Sequence, residues 1–198
     1  MKKTIFLGAL MLSAAAGYAQ ESRQDVSISG FETINPTVHG NSVTLTPTHT
    51  TGVLASYRFL LTPKSALEVN YSFAQYTNYY QYSGNLTYNP IHTRQQEFSA
   101  AYVFGLNFKN FNPFVEAGPG VMFFSPIRDN GTDRLDAKRA TGVGGLFGAG
   151  LAYEISPSFD IRAEYRGFFV KAPSFIDDFK TGRYEVLSMP TIGVAFHF

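Results

Sequence analysis

The chain of 198 residues contains no cysteine and no tryptophan. Without cysteine there is no disulfide framework, no thiolate metal site and no lipidated-cysteine anchor. Charge is also scarce. Charged residues make up 16% of the chain and the formal net charge is +1, which excludes a solvating acidic or basic tail and the basic footprint of a nucleic-acid binder. Beyond the N-terminus, no stretch reaches the roughly 18 apolar residues that mark a spanning helix. What the chain has instead is aromatic: 12 Tyr and 19 Phe, with 18 Gly. One domain is the expectation at this length.

The first residues have a different character. Lys2 and Lys3 precede an apolar run over 5–16, and Gly17-Tyr18-Ala19 follows. A basic start, a short apolar core and small residues before a cut form the secretory pattern. The reading is a signal peptide over 1–19, cleaved after Ala19, and one barrel domain over 20–198. Removing Lys2 and Lys3 leaves 14 basic residues against 15 acidic ones, a mature charge near −1.

The mature chain alternates with period two. Phe159, Ile161, Ala163, Tyr165 and Phe169 share one face, and Asp160, Arg162, Glu164 and Arg166 share the other. Similar alternation runs from Val53 to Leu61, from Leu67 to Phe73, from Glu97 to Phe104, and from Thr191 to Phe198. Breakers divide the chain into eight strands near 25–38, 50–61, 66–80, 93–107, 112–127, 141–155, 159–170 and 184–198. Short connections alternate with long ones near 39–49, 81–92, 128–140 and 171–183. Gly30 and Pro36 interrupt the first strand and suggest a bulge or a phase slip.

Eight antiparallel strands close into a barrel that side chains can fill. A soluble barrel turns its apolar face inward; an outer-membrane barrel turns it to lipid. The aromatic content, the strand length, the alternating loop lengths and the aromatic C-terminus favour the outer-membrane solution. Charged residues then point into the lumen. Centring one turn on Pro63 places Arg58 opposite Glu68. Centring another on Pro157 places Ala152, Gly150 and Gly148 opposite Arg162, Glu164 and Arg166, so these small residues read as interior clearance. The interior polar set is Arg58, Glu68, Glu97, Glu116, Asp160, Arg162, Glu164 and Arg166. Three positive against five negative members read as a mutually neutralised plug, with ordered water or a protonated carboxyl to complete it. A gated path for small ions is the alternative.

On these residues the chain resembles the OmpA-like family of small outer-membrane β-barrels. The similarity runs through Ser56-Tyr-Arg-Phe-Leu-Leu, Leu67-Glu-Val-Asn-Tyr-Ser, Asn112-Pro-Phe-Val-Glu-Ala-Gly-Pro-Gly120 and Asp160-Ile-Arg-Ala-Glu-Tyr-Arg166. The ending Thr191-Ile-Gly-Val-Ala-Phe-His-Phe198 is similar to the C-terminal signal read by the barrel-assembly machinery, with Thr191, Gly193, Phe196 and Phe198 as its residues. The resemblance implies a monomeric barrel surrounded by outer-membrane lipid and lipopolysaccharide, with its termini periplasmic. The peptidoglycan-binding domain of some members has no counterpart here, and that role is not carried over.

No cofactor, metal or catalytic residue is expected. A lipid-modifying barrel needs a His near a hydroxyl nucleophile and a carboxylate. His39, His49 and His92 fall in expected loops without such partners, and His197 points inward. Basic residues over 128–139 and 171–183, among them Arg128, Arg134, Lys138, Arg139, Lys171, Lys180 and Arg183, alternate with acids. They read first as solvated mixed-charge loops, with contact to lipopolysaccharide phosphates or an external ligand as the alternative, and the loops 39–49 and 81–92 are further candidates for an external ligand. Tyr76, Tyr79, Tyr80, Tyr82 and Tyr88 read as an interfacial girdle, with a stacking patch as the alternative. The leading functional expectation is a structural or surface-interaction role in envelope integrity or adhesion. A narrow porin-like channel is second and a lipid-modifying enzyme third.

Overall fold

Period-two alternation is what turns most of this chain into strand: apolar and small polar residues sort to opposite faces, and turns at Pro, Gly and Asn reverse the direction. The structure, a computed structural model, describes residues 23–84, 86–129, 131–133 and 135–198. The expected signal peptide lies outside the described residues. Ten strands form one sheet: β1 (Gln24–Thr33), β2 (Val38–Gly40), β3 (Val43–Pro47), β4 (Thr50–Thr62), β5 (Ser65–Tyr82), β6 (Asn89–Gly105), β7 (Phe111–Pro126), β8 (Ala140–Ser156), β9 (Phe159–Lys171) and β10 (Tyr184–His197).

Eight of them, β1 and β4 to β10, close into an antiparallel barrel. Consecutive strands pair around the ring, and β1 pairs with β10 from Asp25↔His197 to Phe31↔Thr191 to complete it. The turn-centred registers hold. Arg58 opposes Glu68, and Gly148, Gly150 and Ala152 oppose Arg166, Glu164 and Arg162. Register shifts between Leu60 and Thr62, and between Glu154 and Ser156, lie beside the short turns.

The first long connection corrects the expected layout. A strand over 25–38 is not continuous: β1 ends at Thr33, one bridge joins Ile34 to Ser188, and the chain turns away at Pro36. The segment 39–49 is not simply loop either, because it contains β3. Gly40 and Val43 close a two-residue hairpin in which Asn41 and Ser42 both have positive φ, at 52° and 60°. That is the primed-turn backbone a tight hairpin needs, and Asn suits it. Strand β3 then pairs with the far half of β5, from Val43↔Tyr82 to Pro47↔Asn78, where β4 no longer reaches. The wall therefore rises above the barrel ring on this side.

The outward face is apolar across every strand of the ring. Ile28 and Ile192 are each 65% exposed and Val143 is 77% exposed. A continuous belt of such residues has no place in water. Inside, the glycines of β8 serve clearance. A Cβ on Gly142 would meet Val170 at 2.4 Å, on Gly144 the Phe169 carbonyl at 2.1 Å, and on Gly148 the Glu116 carboxylate at 2.7 Å.

Candidate functional site

Inward positions on each strand stack into layers along the lumen. At the short-turn end, Arg162 on β9 donates from both terminal nitrogens to Asp25 on β1, at 2.9 and 2.8 Å. Arg162 also lies 4.0 Å from Asp160, whose carboxylate contacts His197 Nε2 at 2.8 Å. Beside this, Arg58 Nε donates to Glu68 at 2.6 Å, and the Arg58 guanidinium rests 4.9 Å from the Phe114 ring centre.

The next layer gathers around Arg166. Its guanidinium reaches Glu97 at 3.1 Å and Glu116 and Glu164 at 3.6 Å each, with Asn70 at 3.5 Å. Glu97 accepts further hydrogen bonds from Ser72 at 3.0 Å and Ser99 at 2.7 Å. Glu116 accepts none: both of its oxygens are buried without a hydrogen-bond partner among the described residues. Asn70 Nδ2 and Arg166 Nε are likewise unpartnered donors.

All eight residues of the expected interior set face the lumen and sit in this network. Sequence reasoning left out Asp25, which binds Arg162 most closely, and Asn70. With Asp25 this network holds six carboxylates against three arginines, and Glu185 on β10, also left out by sequence reasoning, is a seventh buried inward carboxylate nearer the long loops. The missed signal was the inward row Asp25, Ser27 and Ser29, obscured by the irregular end of the first strand.

Toward the long-loop end the lumen becomes mainly apolar, although Asn78, Thr93, Gln95 and Glu185 are also buried there. Phe31, Leu45, Leu54, Tyr80, Ile91, Met122, Phe124, Leu146, Phe168, Leu187 and Met189 pack together, and Phe175 and Phe179 enter from the last long loop. Phe179 stacks on Tyr80 at 4.9 Å, Phe175 meets the same ring edge-on at 6.2 Å, and the Tyr80 hydroxyl donates to the Pro173 carbonyl at 2.9 Å. The expected tyrosine patch is therefore divided. Tyr76 and Tyr80 face inward, whereas Tyr79 and Tyr88 are exposed and pack edge-on at 6.3 Å.

The histidines also need revision. His39 lies in β2 and His92 in β6, not in loops. His92 contacts the Asp129 carboxylate, a pairing the sequence did not reveal. Desolvation acts to raise the Asp129 carboxyl. The amide of Thr132, the His92 ring and the amide of Gly131 outweigh it and hold Asp129 below the usual carboxylate range. The nearby hydroxyl of Thr132 accepts the His92 backbone amide at 3.0 Å. Among the described residues no group of three or more acids, histidines or cysteines is arranged to hold a metal ion.

The loop cations are not equivalent. Arg128 donates to the Leu135 and Ala137 carbonyls at 3.0 and 2.8 Å and shapes its own loop. Lys138, Lys180 and Arg183 point outward among the exposed acids Asp136, Asp177 and Asp178. Arg134 lies outside the described residues.

At the closing seam, Thr191 faces inward, and a Cβ on Gly193 would meet Ser29 Oγ at 2.0 Å and the Ile28 carbonyl at 2.4 Å. Phe196 packs between Phe159 at 5.1 Å and Phe198 at 6.0 Å, while the Phe198 amide donates to the Gln24 carbonyl at 3.0 Å. Phe198→Ala is expected to reduce outer-membrane insertion while leaving export intact. Heat-modifiable gel mobility and membrane yield measure this, and unchanged values would count against a C-terminal assembly signal.

A lipid-facing belt, a charged lumen and alternating short and long connections define an eight-stranded transmembrane β-barrel. The outer membrane protein beta-barrel domain family matches residues 4–198, and the chain belongs to that family. It is an outer-membrane protein. Among solved structures it is similar to the outer membrane protein OprG of Pseudomonas aeruginosa, with TM-score 0.62 and 11% identity over 90% of this chain and 97% of that one. Neisserial surface protein A gives 0.59 and 15% over 89% and 98%. Ail of Yersinia pestis, solved with the heparin analogue sucrose octasulfate, gives 0.52 and 19% over 90% and 100%. At these identities the likeness is one of fold. No curated protein sequence matches the chain.

Proposed function

We propose that this barrel is a non-conducting, non-enzymatic envelope protein that acts in envelope integrity or adhesion through its extracellular end. The observation that carries this reading is the filled lumen. A charged layer blocks the periplasmic half, and a mainly apolar, closely packed layer capped by Phe175 and Phe179 blocks the other. An ion crossing the second layer would give up most of its hydration to pass closely packed rings and aliphatic side chains, which is costly. Groups free to meet a partner are then confined to the long loops and the outer wall. The non-enzymatic part rests on the rim histidine: His92 has a carboxylate, but the adjacent Thr132 hydroxyl oxygen is bound to its backbone amide rather than presented as a nucleophile.

The test compares the intact protein with a variant whose four long loops are trimmed. The expectation is no single-channel conductance and no liposome swelling for the intact protein, with envelope-stress resistance or surface binding lost on trimming. Conductance of the intact barrel would establish the narrow-channel alternative. Loss of acyl chains from lipid A on expression would establish an enzyme.

A further inference from the structure

The outer wall carries one feature that neither the lumen nor the loop tips explain. On three adjacent strands polar residues face outward at one height, with a fourth beside them just before β8. Gln75 on β5 opposes Arg94 on β6, and Arg94 opposes Ser125 on β7. Arg139, immediately before β8, donates from Nε to Ser125 Oγ at 2.9 Å. Gln75, Arg94 and Arg139 are exposed. Directly below lies an aromatic shelf. The Arg139 guanidinium rests 5.4 Å from the Phe123 ring centre, Phe98 meets Phe123 edge-on at 6.2 Å, and Tyr71 packs on Phe98 at 4.8 Å.

Neither arginine has a carboxylate partner among the described residues. Asp129, the acid that follows β7, is taken up by His92 and by the amides of Gly131 and Thr132. Two unneutralised guanidinium groups therefore face the membrane at the top of its apolar belt, on the extracellular side. An anion borne by the membrane itself completes them best, because its chains cover the aromatic shelf while its head meets the cations.

We propose that Arg94 and Arg139 form a headgroup site for a phosphorylated glycolipid of the outer leaflet. The phosphate lies between the two guanidinium groups, with Ser125 and Gln75 as flanking polar contacts and the acyl chains on Tyr71, Phe98 and Phe123. The site holds lipid to the wall and is independent of the role proposed for the loops.

The experiment uses the full-length barrel in phosphatidylcholine nanodiscs, titrated with bisphosphorylated lipid A and with its dephosphorylated counterpart, and read by native mass spectrometry. Phosphorylated lipid A is expected to remain bound. Arg94→Gln and Arg139→Gln are each expected to weaken it about tenfold, and the double variant to remove it. Arg139→Lys retains part of the binding, and Lys64→Gln at the periplasmic turn leaves it unchanged. The proposal is overturned if dephosphorylated lipid A binds as tightly, if phosphatidylglycerol binds as tightly as lipid A, or if the double variant equals the wild type. The two lipid comparisons need no variant, so they decide the matter even if a substitution impairs folding.

Discussion

Arg166→Met is expected to destabilise the barrel by about 3–5 kcal/mol, the cost of leaving buried charge without its partner. Arg166 is the only cation within reach of Glu97, Glu116 and Glu164 among the described ion pairs. Methionine roughly keeps the volume, so the loss is electrostatic rather than a cavity. Unfolding in urea from phosphatidylcholine vesicles, followed by the gel shift between folded and unfolded bands, reads the effect. The sign should reverse at the neighbouring acid. Glu116 lacks any hydrogen-bond partner in a network with twice as many carboxylates as arginines, so Glu116→Gln is expected to leave stability unchanged or raise it. Adding Glu97→Gln to Arg166→Met is expected to recover part of the loss, because it removes one of the stranded charges. A stable Arg166→Met barrel, or a Glu116→Gln variant weakened by more than about 2 kcal/mol, would contradict a lumen governed by excess negative charge.

What the sequence made legible follows from where register is anchored. Short turns pin both strands of a hairpin, so centring on Pro63 and Pro157 was enough to place Arg58 against Glu68 and Gly148 against Arg166. Once one strand's facing is known, period two assigns the rest of it. Long loops carry no such anchor. The hairpin of β2 and β3 was hidden because Pro36 breaks the alternation, and two left-handed residues rather than an Asn-Gly pair make its turn. Asp25 escaped for a related reason: its partner Arg162 lies on a strand that is remote in sequence and joined to β1 only through β10. Tyr76 and Tyr80 carry the same inward parity as Ser72 and Ala74, but a tyrosine-rich end of strand looks like an interfacial girdle. Phe175 and Phe179 leave no periodic trace at all, because they reach the lumen from irregular chain around one 3-10 turn, Asp177–Phe179.

That hidden cap yields the second large effect. Phe175 and Phe179 are 1% and 5% exposed and share the Tyr80 ring, and truncating a buried phenylalanine costs about 3–5 kcal/mol. Because both belong to one loop, the cost in Phe175→Ala/Phe179→Ala is expected to fall locally: the segment over 172–183 detaches while the strand ladder survives. Limited proteolysis of intact vesicles should then cut this loop at least tenfold faster, with heat-modifiable mobility retained. Conductance should nevertheless stay absent, because Arg58, Arg162, Arg166 and their carboxylates still fill the lumen beneath. The two layers are thus separable. If the double variant conducts, the apolar cap alone was the barrier and the charged layer is a path rather than a plug. If the loop remains protease-resistant, Tyr80 and Pro173 hold it without the phenylalanines, and the cap owes its order to the hydrogen bond at 2.9 Å rather than to ring packing.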